Sequence, residues 1–579
     1  MNTFSKSTQN LYKNHPVLFI YGLGNYIKNL FQNEKLKYLV IFEEDKNTID
    51  NFFQQVYITS LLKENKLFIF NAKEFDFNKA KDLFLQQNFM FYSKIVQIIE
   101  FKKSYLIQTI ENNIHRAIES ILNGLQSSQE CEVYIEHFCK NLPKILSHSS
   151  TQKFINTHKA KQKYAIIVAS GPSLIKQLPL LKKIQNKVNI FCADGSYTIL
   201  HKYGIKPDYV FCIEKDTING KEKNIGSWNF FDNNFGEFDK NILFIFADTV
   251  HPKTIKLLEN NNRNYIITLS INPLSTSFEF HDFGYCDLSF NSVANLAYNF
   301  AISLEYKNII LIGQDLAFGK DGSSHHEEFL HRININSSHH KHIKTIAYGG
   351  KGEVFTQAAW LLYKEKYEYD INLNKHIIKT YNATEGGAKI EGAIEKPFKD
   401  LCDKIIKENT IKQAQMLPLP DKHSIYTNLQ KTLNHFKIIS QTSKNFLDDS
   451  KKIIKKIQNI SLQIDSLPKN LSLEESLKII DFNQINILQK EIKLYKEKLY
   501  QNKYFSTILL SYMYANECNF IHLECLDINI PEKIKINQLT YIVNHERHIK
   551  EIINLIEKQH SIIIRTTADI QELISKDFS

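Results

Sequence analysis

The segment YAIIVASGPSL, Tyr164 to Leu174, ends a run of β-forming residues in a turn of Ser170, Gly171, Pro172 and Ser173, with a helix-like stretch after it. Each residue type has a use there. Gly171 lets a ligand approach the backbone, Pro172 fixes φ and suits a first helical turn, and the serines supply hydroxyls. A helix starting here adds free N–H groups and the positive end of its dipole, a site for an anion. The competing reading is an ordinary N-cap. The rest of the region weighs against it. Asp194 in FCADGS, Glu214 and Asp216 in YVFCIEKD, Asp248 in FADTVHP and Asp315 in NIILIGQD each follow an apolar run. One strand-end carboxylate is usually a cap, but four such strands at one rim form a polar pocket.

Other motifs set limits. The sequence has no GxxxxGK[ST], so a P-loop is excluded. YGLGN (Tyr21 to Asn25) follows an apolar run, and the acidic Glu43, Glu44 and Asp45 come about 20 residues later, as in half of a dinucleotide fingerprint. The third glycine is missing, so a ligand-free βα turn competes with a ribose site. HHEEFLHRININSSHHKH carries six histidines, His325, His326, His331, His339, His340 and His342. Their spacing fixes no tetrahedral set and no HExxH occurs. The preferred reading is a loop over the pocket, with metal binding and a solvated surface as alternatives.

Composition narrows the class. At 579 residues the chain is too long for one ordinary core. With 43% hydrophobic and 23% charged residues it is ordinary globular material. No apolar run approaches the roughly 18 residues of a membrane span, and the first residues show no secretory h-region, so a cytoplasmic protein is expected. The eight cysteines form no CxxC, which argues against a disulfide framework or a zinc site. The formal charge of +10 invites a nucleic-acid reading, but only five of the 72 basic residues are Arg, the residue that reads phosphate forks and base edges. Nucleic-acid binding is not expected.

Three regions must position these motifs. Residues 1–150 alternate apolar runs (VLFIY, KYLVIFEE, KLFIFN) with helical ones, which predicts a Rossmann-like α/β domain; helical periodicity dominates from about 76. Residues 160–400 repeat the rhythm six times, which predicts a doubly wound α/β domain with its ligand at the carboxyl ends of the strands. Residues 410–579 lack Gly and carry Lys, Leu, Ile and Asn at helical spacing, which predicts an α-helical domain.

In order, VASGPSL, CADGS, GIKPD, NSVANLA, NIILIGQDLAF and NATEGGAKIEG resemble the motility-associated factor (Maf) proteins, flagellin glycosyltransferases of bacteria. The resemblance covers about 160–400, and the three-part layout is also similar. The same region is more distantly similar to the family 42 sialyltransferases and to an archaeal pterin diphosphokinase. By resemblance to the sialyltransferases, Ser170, Gly171, Pro172, Ser173, Asp194, Asn291, Ser292, Gln314 and Asp315 would bind a nucleotide-sugar. Where those enzymes carry Gly-Ser-Ser-Tyr, with the Tyr on the leaving phosphate, this chain has Gly322-Ser323-Ser324-His325. Their catalytic His has no counterpart in AYGGKGEVFTQ. Candidate bases are His325, His326, Glu327, Asp216 and Glu214, with His325 and Asp216 preferred.

The resemblance implies transfer of a nonulosonic acid, of pseudaminic or legionaminic type, from CMP to Ser or Thr of flagellin. It implies flagellin as partner, with acceptor docking assigned to the C-terminal helices. No cofactor or metal is expected: a monophosphate leaving group needs less charge neutralisation than a diphosphate, and no DxD occurs. The alternatives are an ATP-dependent pterin-type diphosphokinase and a non-catalytic flagellin-binding chaperone.

Overall fold

The computed structural model describes residues 15–24, 27–30, 35–54, 61–86, 89–159, 163–218, 221–280, 282–286, 292–337, 342–408, 420–526 and 530–577. The chain forms two compact units. One comprises Met1–Ser127, Lys444–Asn502 and Leu509–Ile556; the other comprises Ser128–Ser443, Lys503–Ile508 and Glu557–Ser579. The division follows spatial contact, so the C-terminal helices are shared between the units and the helix Ser128–Ser147 belongs to the second.

The first unit holds a four-stranded sheet: β1 (Val17–Tyr21), β2 (Tyr38–Glu43), β3 (Leu67–Asn71) and β4 (Ile98–Glu100), in the order β3-β2-β1-β4, all parallel. The first three are the apolar runs read from sequence. β4 lies where helical periodicity was read; at three residues it is too short to show alternation. The half-fingerprint resolves as a turn that binds its own acid. Glu43, 2% exposed, accepts the N–H of Leu23 at 3.0 Å and those of Glu44 and Asp45 at 2.8 and 3.0 Å. Burial pushes its pKa up; the three N–H groups and Lys102 outweigh that and hold the carboxyl below its usual range. Asp45 caps the helix Lys46–Phe53 through the N–H groups of Asn47 and Thr48. Both acids are therefore engaged by local structure.

The second unit is built on nine parallel strands. β5 (Tyr164–Val168), β6 (Asn189–Ala193) and β7 (Tyr209–Cys212) are followed by a small hairpin, β8 (Thr217–Ile218) and β9 (Lys221–Glu222). Then come β10 (Leu243–Ala247), β11 (Asn264–Ser270), β12 (Tyr285–Cys286) and β13 (Asn308–Ile312). A second hairpin, β14 (Ile343–Ile346) with β15 (Glu353–Thr356), precedes β16 (Lys379–Asn382) and β17 (Ile394–Glu395). The main sheet runs β12-β11-β10-β7-β6-β5-β13-β16-β17. Its six longer strands from β5 to β13 are the six apolar runs of the sequence. All residues of β5, β6, β7, β10 and β13 are buried, as a parallel sheet covered on both faces requires. The helix Val293–Ser303, with Leu296, Ala297, Tyr298 and Phe300, packs into this core.

The C-terminal region is helical as expected, in Lys422–Asp465, Leu473–Ile479, Phe482–Tyr500, Ser506–Cys525 and Pro531–Asp577. Within the first unit these segments bury an ionic cluster. Glu517 accepts from Lys496 Nζ at 2.8 Å and lies 2.7 Å from His548 Nε2, while Lys496 Nζ also meets His545 Nε2 at 3.0 Å. Burial raises the Glu517 pKa, but Lys496 and His548 outweigh it and hold the carboxyl far below its usual range. Burial, then Lys496, keep His545 well below the usual imidazole range.

Both shifts have the same consequence. The folded state binds protons less readily than the unfolded chain at each group, so stability falls with acidification. The decline is expected below about pH 6.5 from His545 and again below about pH 4.3 from Glu517. Glu517→Gln leaves Lys496 without its counter-charge and is expected to cost about 3–5 kcal/mol at pH 7, measured by urea unfolding.

Candidate active site

The chain runs outward from β5 to β12 and then returns, placing β13 on the other side of β5. The point where the order reverses is where open α/β sheets bind ligands, beyond the carboxyl ends of the strands. The two motifs with the strongest chemical reading meet there. Ser170-Gly171-Pro172-Ser173 leaves β5 and Gly313-Gln314-Asp315 leaves β13. The Gly171 N–H donates to the Gly313 carbonyl at 2.8 Å. Asp315 Oδ2 accepts from the Ser173 hydroxyl at 2.7 Å and from its N–H at 3.2 Å. Ser173 precedes the helix Leu174–Ile184 and makes no side-chain cap bond, because its hydroxyl is on Asp315. The negative end expected at this helix N-terminus is thus supplied by the protein itself. A Cβ on Gly171 would overlap Asp315 Oδ2 and the Gly313 carbonyl oxygen, so the close approach this glycine permits is to Asp315. Burial raises the Asp315 pKa to about 6 even though the Ser173 bonds favour the charged form.

NATEGG completes this knot, a role the sequence reading did not assign. The Ala388 N–H donates to the Asp315 carbonyl at 2.7 Å. Gly387 has φ +72°, and a Cβ there would overlap the Asp315 backbone. Gln314 is buried and accepts from the Tyr367 hydroxyl at 3.1 Å.

Beyond β6 and β7 the rim is acidic. Asp194 begins the helix Asp194–Lys202 and is 7% exposed. One oxygen accepts the Gly195 N–H at 2.7 Å; the other is buried without a partner. Burial and then the neighbouring Glu214 charge push its pKa up to about 8. Glu214 is exposed to solvent; desolvation by surrounding protein and then Asp216 raise its pKa against the pull of Lys223 and Lys215. Asp216 is 3% exposed and adopts a left-handed φ of 58°. Its oxygens accept the N–H and hydroxyl of Ser227 at 2.8 and 2.5 Å, and its carbonyl accepts the Lys223 N–H at 2.9 Å. Of the three, Glu214 presents the accessible carboxylate, and the Asp216 carboxylate is held by Ser227.

The start of the His-rich tract closes over this rim. The His326 N–H donates to the Ser170 carbonyl at 2.7 Å, and His326 Nε2 is buried without a partner. Phe329 lies against Gly195, where a Cβ would overlap its ring. His325 stacks on Phe329 at 4.1 Å between centroids, faces Trp360 edge-on at 6.0 Å and meets Ser324 Oγ at 2.9 Å through Nδ1. Burial, then His331, lower its pKa to about 4, so the imidazole is neutral at pH 7. Glu327 is exposed. Trp360, Tyr363 and Tyr367 come from one helix, Ala358–Asn374. They sit at i, i+3 and i+7, a spacing that puts them on one face and could have been read from AAWLLYKEKYEYD.

Other expected residues stand apart or do other work. Ser292 caps Val293–Ser303 in a capping box with Asn295. Asn291, His339 and His340 lie outside the described residues. Asp248 is buried beyond β10, where one oxygen accepts from Ser270 and Tyr134, and His251 caps Pro252–Asn260. Among the described residues no group of three or more His, Cys, Asp or Glu could hold a metal ion, and no helix is long and apolar enough to cross a membrane.

Comparison with known proteins meets this geometry. Residues 136–321, less than half of the chain, match a family model described as "MptE-like: 6-hydroxymethylpterin diphosphokinase MptE-like". None of the curated proteins compared matches. The solved Maf glycosyltransferase from Magnetospirillum magneticum AMB-1 is 14% identical and aligns over 100% of this chain and 86% of its own, with a TM-score of 0.51. The chain has the Maf glycosyltransferase fold. The resemblance read from the ordered motifs is met at that level, across the whole chain and not only over 160–400.

The Asp194 carboxyl has a consequence for stability. Its folded pKa is raised, so the folded state holds a proton the unfolded chain gives up, and stability falls as pH rises from about 4 to about 8. Asp194→Asn mimics the protonated form and is expected to flatten that decline, leaving the variant about 1 kcal/mol or more stabler than the parent at pH 9 by thermal unfolding.

Proposed function

We propose that the protein is a cytoplasmic glycosyltransferase that moves a nonulosonic acid from a CMP-activated donor to a Ser or Thr hydroxyl of flagellin. The observation that carries this reading is the whole-chain Maf fold with Ser170–Ser173 and Gly313–Asp315 joined at the sheet's switch point. In this reading the donor's nucleotide lies over the Ser170–Ser173 turn, with the sugar toward the Asp194–Glu214 rim. Asp315 holds the turn in place and is a positioning residue. His326 Nε2, buried and unpartnered beside Ser170, is the candidate donor to the departing phosphate. Glu214, accessible and with a raised pKa, is the base the geometry favours for the acceptor hydroxyl. The acceptor oxygen bonds the anomeric carbon, the bond from that carbon to the CMP phosphate breaks, and the hydroxyl proton passes to Glu214. The transition state would be oxocarbenium-like, as in glycoside hydrolysis. A monophosphate leaving group lets the transfer proceed without a metal.

A second reading has a specific support, the family match over 136–321. A pterin-type diphosphokinase would use the same switch point for ATP with Mg²⁺.

Thermal-shift titration separates the two. CMP at 100 times its dissociation constant is expected to stabilise the protein by about 2.7 kcal/mol. Ser173→Ala with Asp315→Asn should abolish that shift and the mass increase of flagellin incubated with CMP-nonulosonate. A shift with ATP and Mg²⁺ but none with CMP would favour the kinase. Flagellin binding without any nucleotide effect would favour a chaperone.

A further inference from the structure

The helix Ala358–Asn374 brings an aromatic row to the site that the transfer chemistry above leaves unused. Trp360, Tyr363 and Tyr367 follow one another at about one helical turn each. Both ends of the row are fixed by parts of the site. Tyr367 donates to Gln314 at 3.1 Å, next to Asp315 at the switch point. Trp360 packs against Phe318 at 4.8 Å between ring centroids and meets His325 edge-on at 6.0 Å. His325 belongs to the segment whose next residue, His326, bonds the Ser170 carbonyl. Tyr363 therefore lies between the switch point and the closing segment. Its carbonyl accepts from the Asn295 amide at 3.2 Å, which fixes this turn at the amino end of the helix Val293–Ser303.

The three rings differ in what they leave open. Tyr367 is wholly buried and its hydroxyl is bonded. Trp360 and Tyr363 pack against the core of the second unit yet stay only half-buried. The Tyr363 hydroxyl makes no hydrogen bond among the described residues. Burial, then the Glu214 charge, push its pKa up to about 12, so at neutral pH it keeps its proton and can donate. Glu214 is exposed, and its carboxylate closes no hydrogen bond among the described residues either. A donor and an acceptor thus stand within each other's field with no bond between them. Core packing accounts for Tyr367, but it does not call for an open phenol near an open carboxylate.

Aromatic faces with a few placed polar groups are how small-molecule sites fix orientation and specificity. An indole suits the C–H face and acyl substituents of a sugar, and a phenol suits one of its oxygens. We propose that Trp360 and Tyr363 form the wall that recognises the transferred sugar, Trp360 covering its apolar face and Tyr363 donating a hydrogen bond to it opposite Glu214. The proposal rests on the transfer reading above and adds to it the residues that select the sugar, leaving the nucleotide to the Ser170–Ser173 turn.

The test is isothermal titration calorimetry on the full chain, without flagellin, using CMP and the CMP-activated forms of N-acetylneuraminic, pseudaminic and legionaminic acids. Tyr363→Phe removes one hydroxyl and keeps the ring. Trp360→Leu keeps an apolar side chain, and Tyr363→Phe decides alone if circular dichroism shows that Trp360→Leu does not fold. At least one CMP-sugar is expected to bind the parent more tightly than CMP does. Each folded variant should bind that CMP-sugar about 5-fold more weakly than the parent, with CMP affinity unchanged. A parent that binds neither CMP nor any CMP-sugar overturns the transfer reading and this inference with it. A parent that binds CMP but gains nothing from any sugar overturns this inference alone. So does a Tyr363→Phe variant that matches the parent for the preferred CMP-sugar. Equal weakening of CMP and CMP-sugar in Tyr363→Phe would also overturn it, placing the row against the nucleotide.

Discussion

The second unit depends on one carboxylate. Asp315 leaves β13, turns back across the switch point and takes the hydroxyl and N–H of Ser173 at the head of the helix after β5. Its carbonyl receives the Ala388 N–H, so one residue ties three segments that are far apart in sequence. The two neighbouring glycines follow from this. Gly171 must lack a Cβ because the carboxylate passes there, and Gly387 must turn left-handed under the Asp315 backbone. Burying a carboxylate is costly, which is why its pKa rises, and two hydrogen bonds and a helix dipole offset that cost.

Next to this knot lies a second electrostatic constraint. Asp194, Glu214 and Asp216 lie beyond β6 and β7, where the Glu214 and Asp216 charges make Asp194 costlier to ionise and the Asp216 charge does the same to Glu214. They resolve the conflict differently. Asp216 is tied by Ser227, Asp194 keeps its proton near neutrality, and Glu214 stays in contact with solvent. Environments that separate the proton affinities of like groups are how a site assigns acid and base roles. His325, neutral and stacked on Phe329, adds a group that brings no positive charge to the rim.

Much of the fold was legible because buried parallel strands are short apolar runs. YAIIV, NIFCA, YVFC, LFIFA, NYIITLS and NIILI are all strands of the second unit. KTYN and IIE were not, since KTYN has one hydrophobic residue in four and a three-residue strand leaves no run to see. At the site, the pairing of the Ser170–Ser173 turn with Asp315 needed the return of β13 beside β5, which no local pattern encodes. The sequence reading took Ser173 as a ligand for an outside anion, whereas its hydroxyl holds an inside one. It also offered the acids after β2 to a ribose, and only the geometry puts Glu43 on the N–H groups of its own turn.

The account's central claim is that the nucleotide of the donor sits where β5 and β13 part. Hydrogen–deuterium exchange of the full chain with and without saturating CMP measures this most directly. The account expects protection concentrated in 169–176 and 313–329, with Gly171, Ser173 and the His326 amide among the slowed positions. Protection confined to segments of the first unit, or absent from 169–176 under saturation, would contradict it.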